Sequence, residues 1–206
     1  MSSGDPKTRE LILSTTWRLM EKSQGKGVRI EDVAQAAGIS RQAVYLHFPS
    51  RTDLLIATAR YADQVHGIEE RLQEFRHATG AVKTMNAYLN FWANYIPEIY
   101  GLAKALQAAR ETDEAAKAAW EDRMGAMAEG CRCVIECLER EHLLAEGWTK
   151  TEAIDMLWSL LSVSTWENLT IDRGWKQSQY LAHMRKTLKR LFVRKDSLNT
   201  LSTSSV

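Results

Sequence analysis

The sequence is short of the residues that interrupt or staple a chain. Proline occurs at positions 6, 49 and 97 only, and no Asn-Gly or Asp-Gly pair separates alternating segments, so a hairpin-built sheet protein is excluded. No apolar run approaches the ~18 residues a membrane span needs, and no membrane partner is expected. There is no glycine-rich phosphate loop. The five histidines are scattered and no serine or cysteine sits in a nucleophile setting, which makes an enzyme the least supported class, and no cofactor is expected. Three cysteines, Cys131, Cys133 and Cys137, fall within seven residues, with no charged-then-apolar leader ahead of the body. A reduced, cytoplasmic chain is the expectation. Cys133 and Cys137 lie one helical turn apart, but Cys131 points elsewhere and only His142 is near, so no metal site is expected. Asn168-Leu169-Thr170 fits the glycosylation pattern by accident in such a chain.

What is present is helical spacing. Apolar residues recur at three and four positions nearly throughout the 206 residues, giving an all-α reading. Asp5-Pro6 opens a first helix that stops near Gly25-Lys26-Gly27. A second covers about 30 to 37, Gly38 turns the chain, and Ser40 caps a third over 41 to 48. Pro49-Ser50 breaks again, and Ser50-x-x-Asp53 opens a fourth helix to about Phe75. Ala81 to Tyr95 is a fifth, ended or kinked by Pro97, and 98 to 109 a sixth. The seventh runs from Thr112-Asp113 to about Leu144, where Gly147 closes it. Thr149-x-x-Glu152 caps an eighth to about Leu169, and a ninth spans about 178 to 193. The polar end, 194–206, is expected to be disordered.

Charge is uneven along this layout. Residues 1–60 carry nine Lys/Arg against six Asp/Glu, and the remainder eighteen against twenty. A polyanion should therefore meet the N-terminal end. There, "DVAQAAGISRQAVYLHFPSRTDLL" has the makings of a helix-turn-helix: Ala34 and Gly38 permit the tight crossing, while Val33, Ala37, Ile39 and Val44 supply its few apolar contacts. Arg41, Gln42, Tyr45 and His47 are left pointing outward. Arginine can donate twice to guanine, glutamine can pair with adenine, and Ala43 offers a methyl to thymine. Tyr45, His47 and Arg51 suit phosphates.

The stretch "IEDVAQAAGISRQAVYLHFPSRTDLL" resembles the DNA-binding segment of TetR-family transcriptional regulators, across about residues 8 to 56. The resemblance implies base contacts from Arg41, Gln42 and Ala43, and backbone contacts from Ser40, Tyr45, His47 and Arg51. One departure stands out. Family members usually carry two hydroxyl residues where this chain has Val28-Arg29, so the cap of the second helix is missing and Arg29 can replace the phosphate contact only by charge. The implied domains are residues 1–50 for DNA binding and 51–193 for ligand binding and dimerisation.

In the larger part, bulky side chains form three stripes: Tyr88, Trp92 and Tyr95; Trp120, Met124 and Met127; Trp158, Ser162 and Trp166. Core packing is the plain reading, but Trp and Tyr tips need partners and Met adapts to varied shapes, so a cavity for a flat, largely apolar effector is expected. Leu157, Leu161 and Ser164, with Leu181, Met184, Leu188 and Leu191, form two further stripes that a two-fold copy could bury as a four-helix bundle, as the family dimerises. Lys186, Lys189, Arg190, Arg194 and Lys195 read as a solvated basic face. The expected protein is a homodimeric repressor that binds double-stranded operator DNA and responds to a small molecule. A helical protein-binding module is the alternative.

Overall fold

Helices fill the computed structural model, which describes residues 5–23 and 27–194. Among the described residues there are eleven α-helices, and the only extended pairing is a single antiparallel bridge between Leu144 and Val193. The expected stop at Gly25-Lys26 and the expected tail beyond Arg194 lie outside the described residues. No helix among them is long and apolar enough to cross a membrane. The chain groups into two units, residues 1–68 with 98–125 and residues 69–97 with 126–206. The first unit thus takes in more than the three helices expected of an N-terminal domain. Two long helices, α7 (Ala81–Ala109) and α8 (Glu114–Arg140), each run through both.

In the first unit, α1 (Pro6–Ser23) starts where Asp5 Oδ1 accepts from Lys7 N at 3.2 Å and Pro6 occupies a position whose N–H would be unbonded anyway. It buries Ile12, Leu13, Thr16 and Met20 and packs on α2 (Ile30–Ala37) and α4 (Arg51–Val65). No side chain caps α2 at Arg29, and only the return half of a capping box forms, Asp32 Oδ2 accepting from Arg29 N at 3.3 Å. Gly38 sits at φ +67°, and Gly38 N and Ile39 N return to Gln35 O and Ala34 O at 3.2 and 3.0 Å. Ser40 Oγ then accepts from Ala43 N at 3.1 Å to cap α3 (Arg41–His47). α4 opens on the Ser50–Asp53 box, with both backbone-to-side-chain bonds at 3.1 Å. It ends at Val65, well short of Phe75, because Gly67 takes a left-handed φ of +64°. Two single turns follow, α5 (Ile68–Arg71) and α6 (Gln73–Arg76).

The second unit contains the unexpected continuity of α7 through Pro97. Proline has no N–H to give the carbonyl four residues back, so Ala93 O loses its helical partner. Gln177 Nε2 replaces it, and Gln177 Oε1 in turn accepts from Trp166 Nε1 at 3.0 Å. The helix survives because a side chain makes the bond that proline cannot. In the opposite sense, the single helix expected from Thr149 to Leu169 is divided. α9 (Lys150–Leu160) stops, and Ser162 Oγ accepts from Thr165 N at 3.1 Å to start α10 (Val163–Glu167), which passes into a π-helical turn at Asn168–Asp172. α11 (Gln177–Phe192) follows. Gly130 on α8 is required by packing, since a Cβ there would collide with the ring and hydroxyl of Tyr88.

Candidate nucleic-acid interface

Val44 is the one buried residue of α3. At about 100° per residue, the positions opposite it are Gln42 and Leu46, with Arg41 and Tyr45 on one flank and Ala43 and His47 on the other. Arg41 and Gln42 are exposed, Tyr45 is 50% and Leu46 63% exposed, and Ala43 and His47 are half-buried. Leu46 carries no polar group that marks it as a nucleic-acid contact in the sequence. Its signal was periodicity: it lies one turn beyond Gln42 and two residues beyond Val44.

The predicted contact residues differ in how free they are. Arg41 Nη1 donates to Glu31 Oε1 across the helix-turn-helix at 2.9 Å, but both side chains are more than half exposed, so the pair holds weakly. It points the guanidinium without locking it. Ser40 uses an oxygen lone pair as the cap and keeps its hydroxyl hydrogen to donate. Arg29 is extended on the surface, bonded to Asp32 at 3.2 and 3.3 Å. His47 has its Nε2 sealed from solvent without a partner, so only its Nδ1 edge can face a phosphate.

Arg51 departs from expectation. Its Nε donates to Val28 O at 2.5 Å, and Nη1 and Nη2 donate to the two oxygens of Asp113 at 2.6 and 2.5 Å. Three N–H donors are engaged inside the first unit, and the guanidinium is not presented to a phosphate. Further along α4, Arg60 bonds Asp122, while Arg123 bonds both Asp63 and Asp122. These pairs tie α4 to the first half of α8.

The three aromatic stripes are distributed between the units. Trp120 and Met124 belong to the first, where Trp120 is buried and lies 5.3 Å beneath the Arg110 guanidinium. In the second, Tyr88, Trp92 and Tyr95 are buried together with Phe91, their centroids 5.2 to 6.3 Å apart. Tyr88 Oη donates to Met127 O at 2.8 Å. Trp92 Nε1 is buried with no hydrogen bond of ordinary geometry, and its nearness only partly offsets the burial that drives the Tyr88 phenol upward. Trp166 is buried with its Nε1 satisfied by Gln177, and Trp158 is half-buried. Ser162, expected to line a cavity, is instead the cap of α10.

The expected dimer stripes require a larger correction. Leu157, Leu161, Met184 and Leu188 are buried within the single chain, and Ser164, Leu181 and Leu191 are half-buried. An apolar stripe at helical spacing is what the protomer's own core takes up first. The outward face of α9 is Glu152, Asp155, Met156 and Ser159, and that of α11 includes Ala182, Lys186 and Arg190. Cys131 is buried, which pushes its thiol up to about 12, while Cys133 is exposed. No group of three His, Cys, Asp or Glu among the described residues is placed to hold a metal ion.

A short helix set across a glycine turn, with one side anchored by a single valine and the rest turned outward with donors and an apolar tip, defines a helix-turn-helix DNA-binding protein. Residues 12–58 match the model of bacterial regulatory proteins of the tetR family. Over 156 residues, 74% of this chain and 73% of its relative, the sequence is 28% identical to the HTH-type transcriptional regulator CymR of Pseudomonas putida. Among solved structures, NalD, described as the secondary repressor of the MexAB-OprM multidrug efflux pump in Pseudomonas aeruginosa, shares the fold at a TM-score of 0.65 and 20% identity, covering 92% of this chain and 98% of that one. FadR of Bacillus subtilis, in complex with stearoyl-CoA, does so at 0.66 and 16%, covering 88% and 96%. The DNA-binding segment is thus that of tetR-family regulatory proteins, and the whole chain shares the fold of the solved regulators.

Proposed function

We propose that this regulator is a repressor that binds operator DNA as a two-fold dimer and leaves it when a small, largely apolar or aromatic molecule binds the second unit. The observation that carries the reading is the outward face of α3, where Gln42 and Leu46 stand opposite buried Val44 with Arg41 and Tyr45 beside them. On this reading Arg41, Gln42, Ala43 and Leu46 meet base edges, and Arg29, Ser40, Tyr45 and His47 meet the backbone. The effector's place is the aromatic cluster of the second unit, where Trp92 holds an unused donor among rings. Relatives described as a pump repressor and as a regulator holding an acyl-CoA support that class of ligand. A DNA target supports a cytoplasmic location, which suits its three free cysteines. Fluorescence anisotropy of labelled DNA flanking its own gene, across a salt series, tests the reading. Log affinity should fall linearly and steeply with log salt. Binding that ignores salt, or no binding at all, would overturn it.

A further inference from the structure

Arg51 is where three pieces of the first unit meet. It is the first residue of α4, it bonds the carbonyl of Val28 just before α2, and it grips Asp113 at the start of α8. Asp113 serves two masters: Oδ1 also accepts from Ala115 N and Ala116 N at 3.1 and 3.2 Å, capping α8. The pair is largely shielded, with 27% of the Arg51 and 15% of the Asp113 side chain exposed. Arg51's hydrogen bond, ahead of every other influence, holds the Asp113 carboxyl below its ordinary range. Gly27, at φ +69°, presses against this pair so closely that a Cβ would stand 2.8 Å from Asp113 Oδ2 and 3.4 Å from Arg51 Nη2. Such convergence is more than a surface ion pair requires.

We propose that Arg51 and Asp113 form a latch that sets the orientation of the recognition helix, making Asp113 a positioning residue for DNA binding although it touches no DNA. Only Phe48, Pro49 and Ser50 separate α3 from Arg51, so a fixed start of α4 fixes the end of α3. The Val28 bond clamps the entry to α2 to the same guanidinium. α8 begins at the latch and continues into the second unit, so a displacement of its first turn moves both helices of the reading head together. The lower pairs of Arg60 and Arg123 with Asp122 and Asp63 keep the rest of α4 in step with α8.

The proposal rests on the reading that the chain binds operator DNA. Its test uses the full chain on the DNA fragment that wild type binds, comparing Arg51→Ala, Asp113→Asn, the double variant and the exchanged pair Arg51→Asp with Asp113→Arg. Asp113→Asn keeps an oxygen to cap α8 while removing the charge. We expect each single variant to lose roughly tenfold in affinity, the double variant to lose no more than either, and the exchanged pair to recover part of the loss. The slope of log affinity against log salt should be unchanged, since no phosphate contact is removed. A slope shallower by about one for Arg51→Ala, with Asp113→Asn binding as tightly as wild type, would make Arg51 a phosphate contact and overturn the latch. So would single variants that melt at lower temperature yet bind with wild-type affinity, because the pair would then only stabilise the fold. A wild type that binds no DNA overturns the repressor reading itself, an outcome distinct from both.

Discussion

An exposed leucine on a helix that otherwise presents donors is costly in water and useful only against something apolar. The major groove offers that in the thymine methyl, and Leu46 stands one turn from Gln42, whose amide can take both major-groove positions of adenine. The two side chains together suit an A·T-containing step. Gln42→Ala should relax preference at one base position per half-site and cost about 1–3 kcal/mol there. Leu46→Ala should cost ~1 kcal/mol, the worth of a buried methyl group or so. Replacing each operator thymine in turn with deoxyuridine separates the two: wild type should lose affinity at one position, and Leu46→Ala should be indifferent to that same change. A Leu46→Ala protein still sensitive to every methyl would mean that Leu46 packs on sugar or is merely surface. The polar members of this face were legible in the sequence because hydrogen-bond chemistry follows from residue type. Leu46 was not, since an apolar residue in a short helix reads as core until the burial of Val44 sets the direction, and Arg51 was misread because its partner lies 62 residues away.

The helices themselves were legible wherever their signals are local. Asp5-Pro6, Gly38, Ser40, Ser50-x-x-Asp53 and Thr149-x-x-Glu152 all act within three or four residues, and each starts or stops a helix where it stands. Gly67 and Ser162 carry signals of the same kind that hydrophobic periodicity masked. Pro97 is different in kind, because whether a proline breaks a helix depends on who satisfies the carbonyl it orphans, and here that is Gln177, 84 residues beyond Ala93. Gln177→Leu should therefore strand two buried polar groups, Ala93 O and Trp166 Nε1, at about 1–3 kcal/mol for each. In a Pro97→Ala background the new N–H restores the helical bond to Ala93, and the same substitution should cost distinctly less. Chemical denaturation of the four proteins gives the coupling directly. Equal costs in both backgrounds would show that Gln177 acts through Trp166 alone.

For the whole molecule, four of the seven residues expected at a seam between copies, Leu157, Leu161, Met184 and Leu188, lie in the protomer's own core, so the proposed dimer would draw on what α9 and α11 show outward. α9 shows Glu152, Asp155 and Met156, the last 40% exposed, and α11 shows Lys186 and Arg190 around the small Ala182. Under two-fold symmetry each face recurs, and the acidic face of one copy can meet the basic face of the other twice in one isologous contact. In the proposed two-fold dimer such a contact would hold the two α3 helices at half-sites about 34 Å apart. Two substitutions on α11 separate the core from the seam. Leu188→Glu buries a charge in the protomer and should destabilise it by about 3–5 kcal/mol, giving unfolded chain rather than folded monomer. Lys186→Glu with Arg190→Glu should leave the melting temperature of the protomer nearly unchanged, shift sedimentation from dimer to monomer, and abolish tight operator binding. Asp155→Lys added to that pair should bring dimers back. Dimers that survive the charge reversal, or a wild type that sediments as a monomer at micromolar concentration, would place the assembly on another face or remove it.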